Sequence, residues 1–154
     1  MTQSIKDNQN FIFNDKFDNM TVTITKGLIT VTVKPSLFDE TDTFKTGAAD
    51  ALVVAEATLS WYPAATKVHV VVLADFTDTL GKTTTKAATI IDITKATGAT
   101  FTYSGLRDRM ESGDWWLMYY NADGYYIHPA VWKNVSSSDQ GSLLFYCNSE
   151  PGYC

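Results

Sequence analysis

Asp75 and Asp78 are the most reactive-looking pair in the chain, two carboxylates at the end of the apolar run Val68-His69-Val70-Val71-Val72-Leu73-Ala74-Asp75-Phe76. Acids at the end of a buried strand can activate water or hold a metal ion. Together with His128 they outline a small hydrolase. The same Asp-x-x-Asp spacing beside a turn also caps loop backbone. No third carboxylate stands at useful spacing, and the Asp-x-Asp-x-Asp-Gly pattern of a calcium loop is absent. The capping role is therefore the expected one. His69 faces opposite to Val68, Val70 and Val72, as a hydrogen-bonded sheet histidine would. His128 precedes Pro129 beside an aromatic cluster, where it either contacts a ligand or closes a strand. Ser104 before Gly105 reads as a helix cap or turn. A Gly-x-Ser-x-Gly elbow, a P-loop, a dinucleotide-binding glycine set and a zinc-protease motif are all missing. On this reading no catalytic residue, metal ligand or cofactor is assigned, and a binding role is favoured over an enzymatic one.

The densest unusual feature is aromatic: Trp115, Trp116, Tyr119, Tyr120, Tyr125, Tyr126 and Trp132 fall close together. Aromatics dominate cores by area, but Trp and Tyr also anchor interfaces. Both readings stand at this level. Read as a hairpin turning at Asn121-Ala122-Asp123-Gly124, the segment alternates its side chains. Trp116, Met118, Tyr120, Tyr125 and Ile127 then share one face; Trp115, Leu117, Tyr119, Tyr126 and His128 share the other. The first set suits a core without polar partners. The second carries more polar tips, so Trp115, Tyr119, Tyr126 and His128 are the expected partner-binding residues.

Cys147 and Cys154 bracket a segment containing Pro151-Gly152, which favours a tight reversal. A disulfide between them would be worth about 2.5 kcal/mol on the chain-entropy argument. It would place the domain outside the cytosol. Zinc lacks a second half-site, because His69 and His128 are isolated.

Charge excludes further classes. The net charge is −5 and the sequence pI about 4.8. Of the twelve basic residues only Arg107 and Arg109 are arginines, and the lysines are scattered singly. A nucleic-acid partner needs a clustered basic footprint, and an anionic membrane surface needs one too. No apolar run approaches a membrane span. The polar start Met1-Thr2-Gln3-Ser4 has no signal-peptide core, so the chain is either cytosolic or has lost an export signal.

The elements that must position these residues make one α+β domain. Thr21–Thr25 and Leu28–Val33 alternate strictly about Lys26-Gly27 and read as a hairpin, with Val22, Ile24, Ile29, Val31 and Val33 buried. Phe11-Ile12-Phe13 reads as a short strand before it. A helix is expected over about Thr46–Trp61, from the spacing of Ala48, Leu52, Ala55 and Leu59. Val68–Phe76 reads as a strand buried on both faces, and Thr83–Thr94 completes a second hairpin. The expected arrangement is an antiparallel sheet of two hairpins (ββαββ) packed on one helix. A short helix at Leu106–Met110, the aromatic hairpin and a last strand at Leu143–Tyr146 follow.

The segments Lys67–Val70, Asp75–Asp78, Gly81-Lys82, Ile90–Ile93 and Tyr125–Ala130 resemble small exported proteins of Gram-positive bacteria, phages and mobile elements, some of them lipoproteins. The similar parts cover roughly a quarter of the chain, and the family carries no established activity to transfer. The lipid-attachment cysteine of its lipoproteins is missing near the start of this sequence. The resemblance implies a secreted or surface-exposed protein. Apart from the resemblance, the leading reading is a binding domain whose partner is another protein or a cell-envelope glycan; the alternative is a carbohydrate-binding module using the aromatic hairpin, and oligomeric state is open.

Overall fold

The computed structural model describes residues 19–35, 40–60 and 62–147. Phe11-Ile12-Phe13 and Cys154 lie outside these residues, and so does the Cys147–Cys154 bridge.

Five strands form one sheet in the order β1-β2-β3-β4-β5. They are β1 (Asn19–Thr25), β2 (Leu28–Lys34), β3 (Lys67–Thr77), β4 (Thr83–Thr94) and β5 (Gly124–Ile127). Lys26 (φ 49°) and Gly27 (φ 85°) turn β1 into β2, the doubly left-handed geometry that matches strand twist. A Cβ on Gly27 would lie 2.7 Å from the Ala64 carbonyl oxygen, so glycine also serves close packing here.

The sheet is mixed, which corrects the antiparallel expectation. β2 and β3 run parallel, from Leu28 opposite Lys67 to Val33 opposite Val72, while the other neighbours are antiparallel. The cause is the intervening helix α1 (Glu40–Leu59). It carries the chain back along the sheet before β3 begins, as a parallel pair requires.

α1 begins earlier than its apolar stripe suggested, and it is buried nearly all round. Ala48, Leu52, Ala55 and Leu59 are buried, and so are Phe44, Ala49, Val53 and Val54. A helix apolar on every side belongs inside a protein. It packs on β3 and β4 on one side and on the smaller helices on the other. Gly47 permits the closest approach: a Cβ there would collide with Thr89 Oγ1 and lie 2.7 Å from the Tyr119 hydroxyl. Ile29, Val31 and Val33 of β2, and Val68, Val70 and Val72 of β3, face this core. Each fully buried side chain of this kind is worth about 1.5–3 kcal/mol. β3 is buried on one face only, for His69, Val71 and Leu73 on the other face are half-buried. On β1, Val22 is half-buried and Ile24 is 45% exposed.

The remaining helices are α2 (Lys95–Gly98), α3 (Tyr103–Glu111), α4 (Trp116–Asn121), α5 (Pro129–Trp132) and α6 (Ser137–Cys147). Two of them correct strand expectations. Trp116–Asn121 is helical, so there is no aromatic hairpin, and β5 pairs with β4 instead. The segment lacks β-branched residues, while Leu117 and Met118 favour helix. Trp116 and Tyr120, one turn apart, meet edge to face at 5.6 Å, a contact that the helical period creates. Leu143–Tyr146 likewise lies in α6. The signal was upstream: the Asp139 N–H donates to Ser136 Oγ at 3.1 Å, and that hydroxyl donates to Asp139 at 2.6 Å. This is a capping arrangement that starts a helix.

Among the described residues no helix is long and apolar enough to cross a membrane.

Candidate functional site

The four aromatic and imidazole side chains expected to share a recognition face do not share one. Tyr119 is fully buried. Its ring stacks on Phe44 at 4.6 Å and its hydroxyl donates to the Phe44 carbonyl at 2.7 Å. Burial pushes its phenol far above the usual range, with a smaller upward push from Asp50. Tyr119 is thus a core residue and cannot touch a partner. Trp115 is partly buried against the same core. Tyr126 sits on the opposite side of the sheet, paired with Ile90 and half-buried. His128 lines a concave site. The helical period of α4 is what turned Tyr119 inward, and a strand-based alternation could not foresee it.

That site is a groove of about 570 Å³ at the far end of the β3–β4 hairpin, lined by Phe76, Lys82, Thr84, Lys86, His128 and Ala130 together with Asp75, Thr77 and Asp78. A bulge builds it. Val72 pairs with Thr89, but the next pair is Leu73 with Ala87, which leaves Ala88 unpaired in β4. A regular ladder continued from Val72 opposite Thr89 would set Lys86 opposite Asp75, on the same face. With Ala88 left out of the ladder, Lys86 pairs with Ala74 and Thr84 with Phe76, while Asp75 pairs with Thr85. The bulge therefore moves Lys86 to the Phe76 side, as bulges do when they re-aim side chains. The Ala88 carbonyl also accepts the His128 N–H at 2.8 Å. This bond holds the imidazole over Phe76, the two rings stacked at 3.9 Å.

His128 Nδ1 accepts the Ala130 N–H at 3.2 Å and caps α5. The ring's other nitrogen then carries its proton when the imidazole is neutral. Partial burial, and next the charge of Lys86, hold its pKa below the usual 6.5. Lys82 and Lys86 make no ion pair among the described residues. The groove thus offers two lysines without an ion pair, a stacked ring floor, a hydroxyl and a neutral imidazole N–H, beside the carboxylates of Asp75 and Asp78.

The two acids at this end are already engaged. Asp75 takes a short hydrogen bond from the Thr85 hydroxyl and a 2.9 Å ion pair from Lys34. Both lower its pKa, the hydroxyl more. Asp78 Oδ1 accepts the backbone N–H groups of Leu80 and Lys82, each at 2.9 Å, and so ties the hairpin loop. Neither aspartate hydrogen-bonds to His128 among the described residues. Asp75, Asp78 and His128 nevertheless line the same groove.

His69 has a partner that sequence reasoning missed. On the open face of the sheet its Nδ1 lies 2.6 Å from Asp92 Oδ1, and Lys67 Nζ lies 3.0 Å from Oδ2. Asp92 is only 6% exposed. With the carboxylate ionised, Nδ1–H is the donor. The residue types were in view, one acid inside the apolar run Ile90–Ile93 and one histidine inside the facing run, but not their register. The β3–β4 register sets them opposite each other. The cluster fastens the two central strands.

Comparison with protein families, with characterised proteins and with solved structures finds no match to this chain.

Proposed function

We propose that this domain is a non-catalytic binding module, acting outside the cytoplasm, whose contact site is the His128 groove. Its partner is a protein or a cell-envelope glycan. The observation that carries the reading is the bulge at Ala88. It sets Lys86 beside Phe76 and His128 rather than beside Asp75, at the cost of one unpaired residue in the ladder. A regular ladder would instead set Lys86 against Asp75. Uncompensated lysines draw anionic groups, and stacked rings offer a face to a sugar or an aromatic side chain. The matching partner surface is acidic, carrying carboxylate or phosphate next to a flat apolar patch. Exposure on the outside of a Gram-positive cell fits such a partner, because anionic groups are common on polymers there. The aspartates are structural in this reading, with Asp75 held by Thr85 and Lys34 and Asp78 Oδ1 holding the loop backbone.

The test is binding to purified Gram-positive sacculi, with and without their anionic polymers, beside a glycan array. The double variant K82A/K86A and the single variant H128A should each weaken capture about tenfold or more, and Y126A should not. Equal capture of all three variants would remove the groove from the function. Turnover of a sacculus component, abolished by D75N or D78N, would return the hydrolase.

A further inference from the structure

We infer that His128 is a proton-operated latch on the groove: its neutral ring is clasped between Phe76 and the Ala130 N–H, and protonation releases it, so that the groove loses its floor on acidification. The consequence for binding rests on the groove as the contact site; the latch itself rests on geometry. Nδ1 accepts the Ala130 N–H at 3.2 Å, while the ring lies on Phe76 at 3.9 Å with 24° between the planes. An imidazole nitrogen accepts only while it carries no proton, and the imidazolium has an N–H on both nitrogens. After protonation two N–H groups would point at each other across the same gap. A half-turn of the ring brings a C–H to that place, which cannot accept either. The attraction of a cation to the Phe76 face does not supply the missing acceptor.

The backbone is not free to take up the change. The His128 N–H donates to the Ala88 carbonyl at 2.8 Å, and the His128 carbonyl accepts the Trp132 N–H at 2.9 Å. The residue is pinned to β4 on one side and closes a turn of α5 on the other, so the side chain has to move. The surrounding charges set its direction. Those lining the groove are Lys86 of β4, Asp75 of β3, and Asp78 and Lys82 of the loop; among the described residues neither α1 nor α5 adds one. Lys86 and Lys82 repel a further cation. Asp75 is already held by Lys34 and Thr85. Asp78 uses Oδ1 for the loop N–H groups, and its other oxygen makes no hydrogen bond among the described residues. A charged ring freed from Phe76 is therefore pushed from Lys86 and drawn towards the Asp78 side of the groove. The lowered pKa of His128 agrees, since the fold as built resists the proton.

The test is NMR of the full chain, which needs no partner. At about pH 7.5 the imidazole nitrogens of His128 should report the Nε2–H tautomer, and its ring protons should show contacts with Phe76. At about pH 5 those contacts should vanish, and exchange of the Ala130 amide, corrected for its intrinsic pH dependence, should quicken about fivefold or more. His128→Asn keeps a side-chain acceptor that does not titrate, so its Ala130 amide should show no such step. Capture of the parent by the purified sacculi should fall severalfold between the two pH values, a ratio that the asparagine variant should not show. A charged ring still stacked on Phe76, or one that stays neutral down to about pH 4, overturns the latch. So does an equal step in His128→Asn, which would come from another group. A latch that opens while capture holds steady overturns its control of the groove. Absence of capture at both pH values instead counts against the groove as the binding site, and the NMR result decides the latch separately.

Discussion

Replacing Tyr119 measures how far the aromatic segment belongs to the core. The ring is fully buried, stacks on Phe44 and donates its hydroxyl to a helix carbonyl. Tyr119→Phe removes only the hydroxyl, and loss of a buried hydrogen bond costs about 1–2 kcal/mol. Tyr119→Ala removes the ring and leaves a cavity beneath α1. Large-to-small changes of this type cost about 3–5 kcal/mol, against a total of about 5–15 kcal/mol for a domain. Urea unfolding followed by tryptophan fluorescence separates the two, because a stability loss moves the midpoint while leaving the slope unchanged. The pH dependence is a second check. Burial keeps the folded phenol protonated above its ordinary value of 10.0. Unfolding releases it to ionise there, so stability should fall as pH rises past about 10. The tyrosine-to-phenylalanine variant should lose that share of the alkaline slope. A Tyr119→Ala protein within about 0.5 kcal/mol of the parent would refute the reasoning, since truncating a ring inside a packed core leaves a cavity that costs stability.

Other expectations rest on the polar contacts. Asp78→Ala frees two loop N–H groups and should cost about 0.5–2 kcal/mol, read by thermal unfolding. Asp75→Asn should instead change mainly the salt and acid dependence of stability. Its pKa is lowered in the fold, so its contribution is present above the ordinary 3.8 and lost as pH falls through the folded value. Asp92→Ala strands Lys67 and His69 on the sheet and should cost about 1–3 kcal/mol in chemical denaturation, less than a fully dry pair because both partners are partly exposed. Lys86→Ala should raise the His128 pKa in an NMR titration, because the lysine's charge is one of the two causes that lower it. In the parent, depression of that pKa means that stability increases as pH rises towards 6.5 and is lost on acidification.

The sequence by itself determined the elements whose period is carried by their own residues. The alternation of Leu28–Val33 and the apolar stripe of Ala48, Leu52, Ala55 and Leu59 exist before any tertiary contact, and both produced the elements they imply. The Lys26-Gly27 turn and the loop role of Asp78 were legible for the same reason, because each partner lies within a few residues. Tertiary structure decided the rest. Whether β3 runs parallel to β2 depends on how α1 packs across the sheet, which no residue of either strand encodes. The aromatic segment carries a helical and a strand period at once, and burial of Tyr119 under α1 selects the helix. Pairing of His69 with Asp92, and of Lys86 with the Phe76 face, depends on the register of two strands whose individual sequences tolerate several. The unpaired residue at Ala88 shifts that register by one along β4, and with it sets the side of the sheet on which the lysine stands.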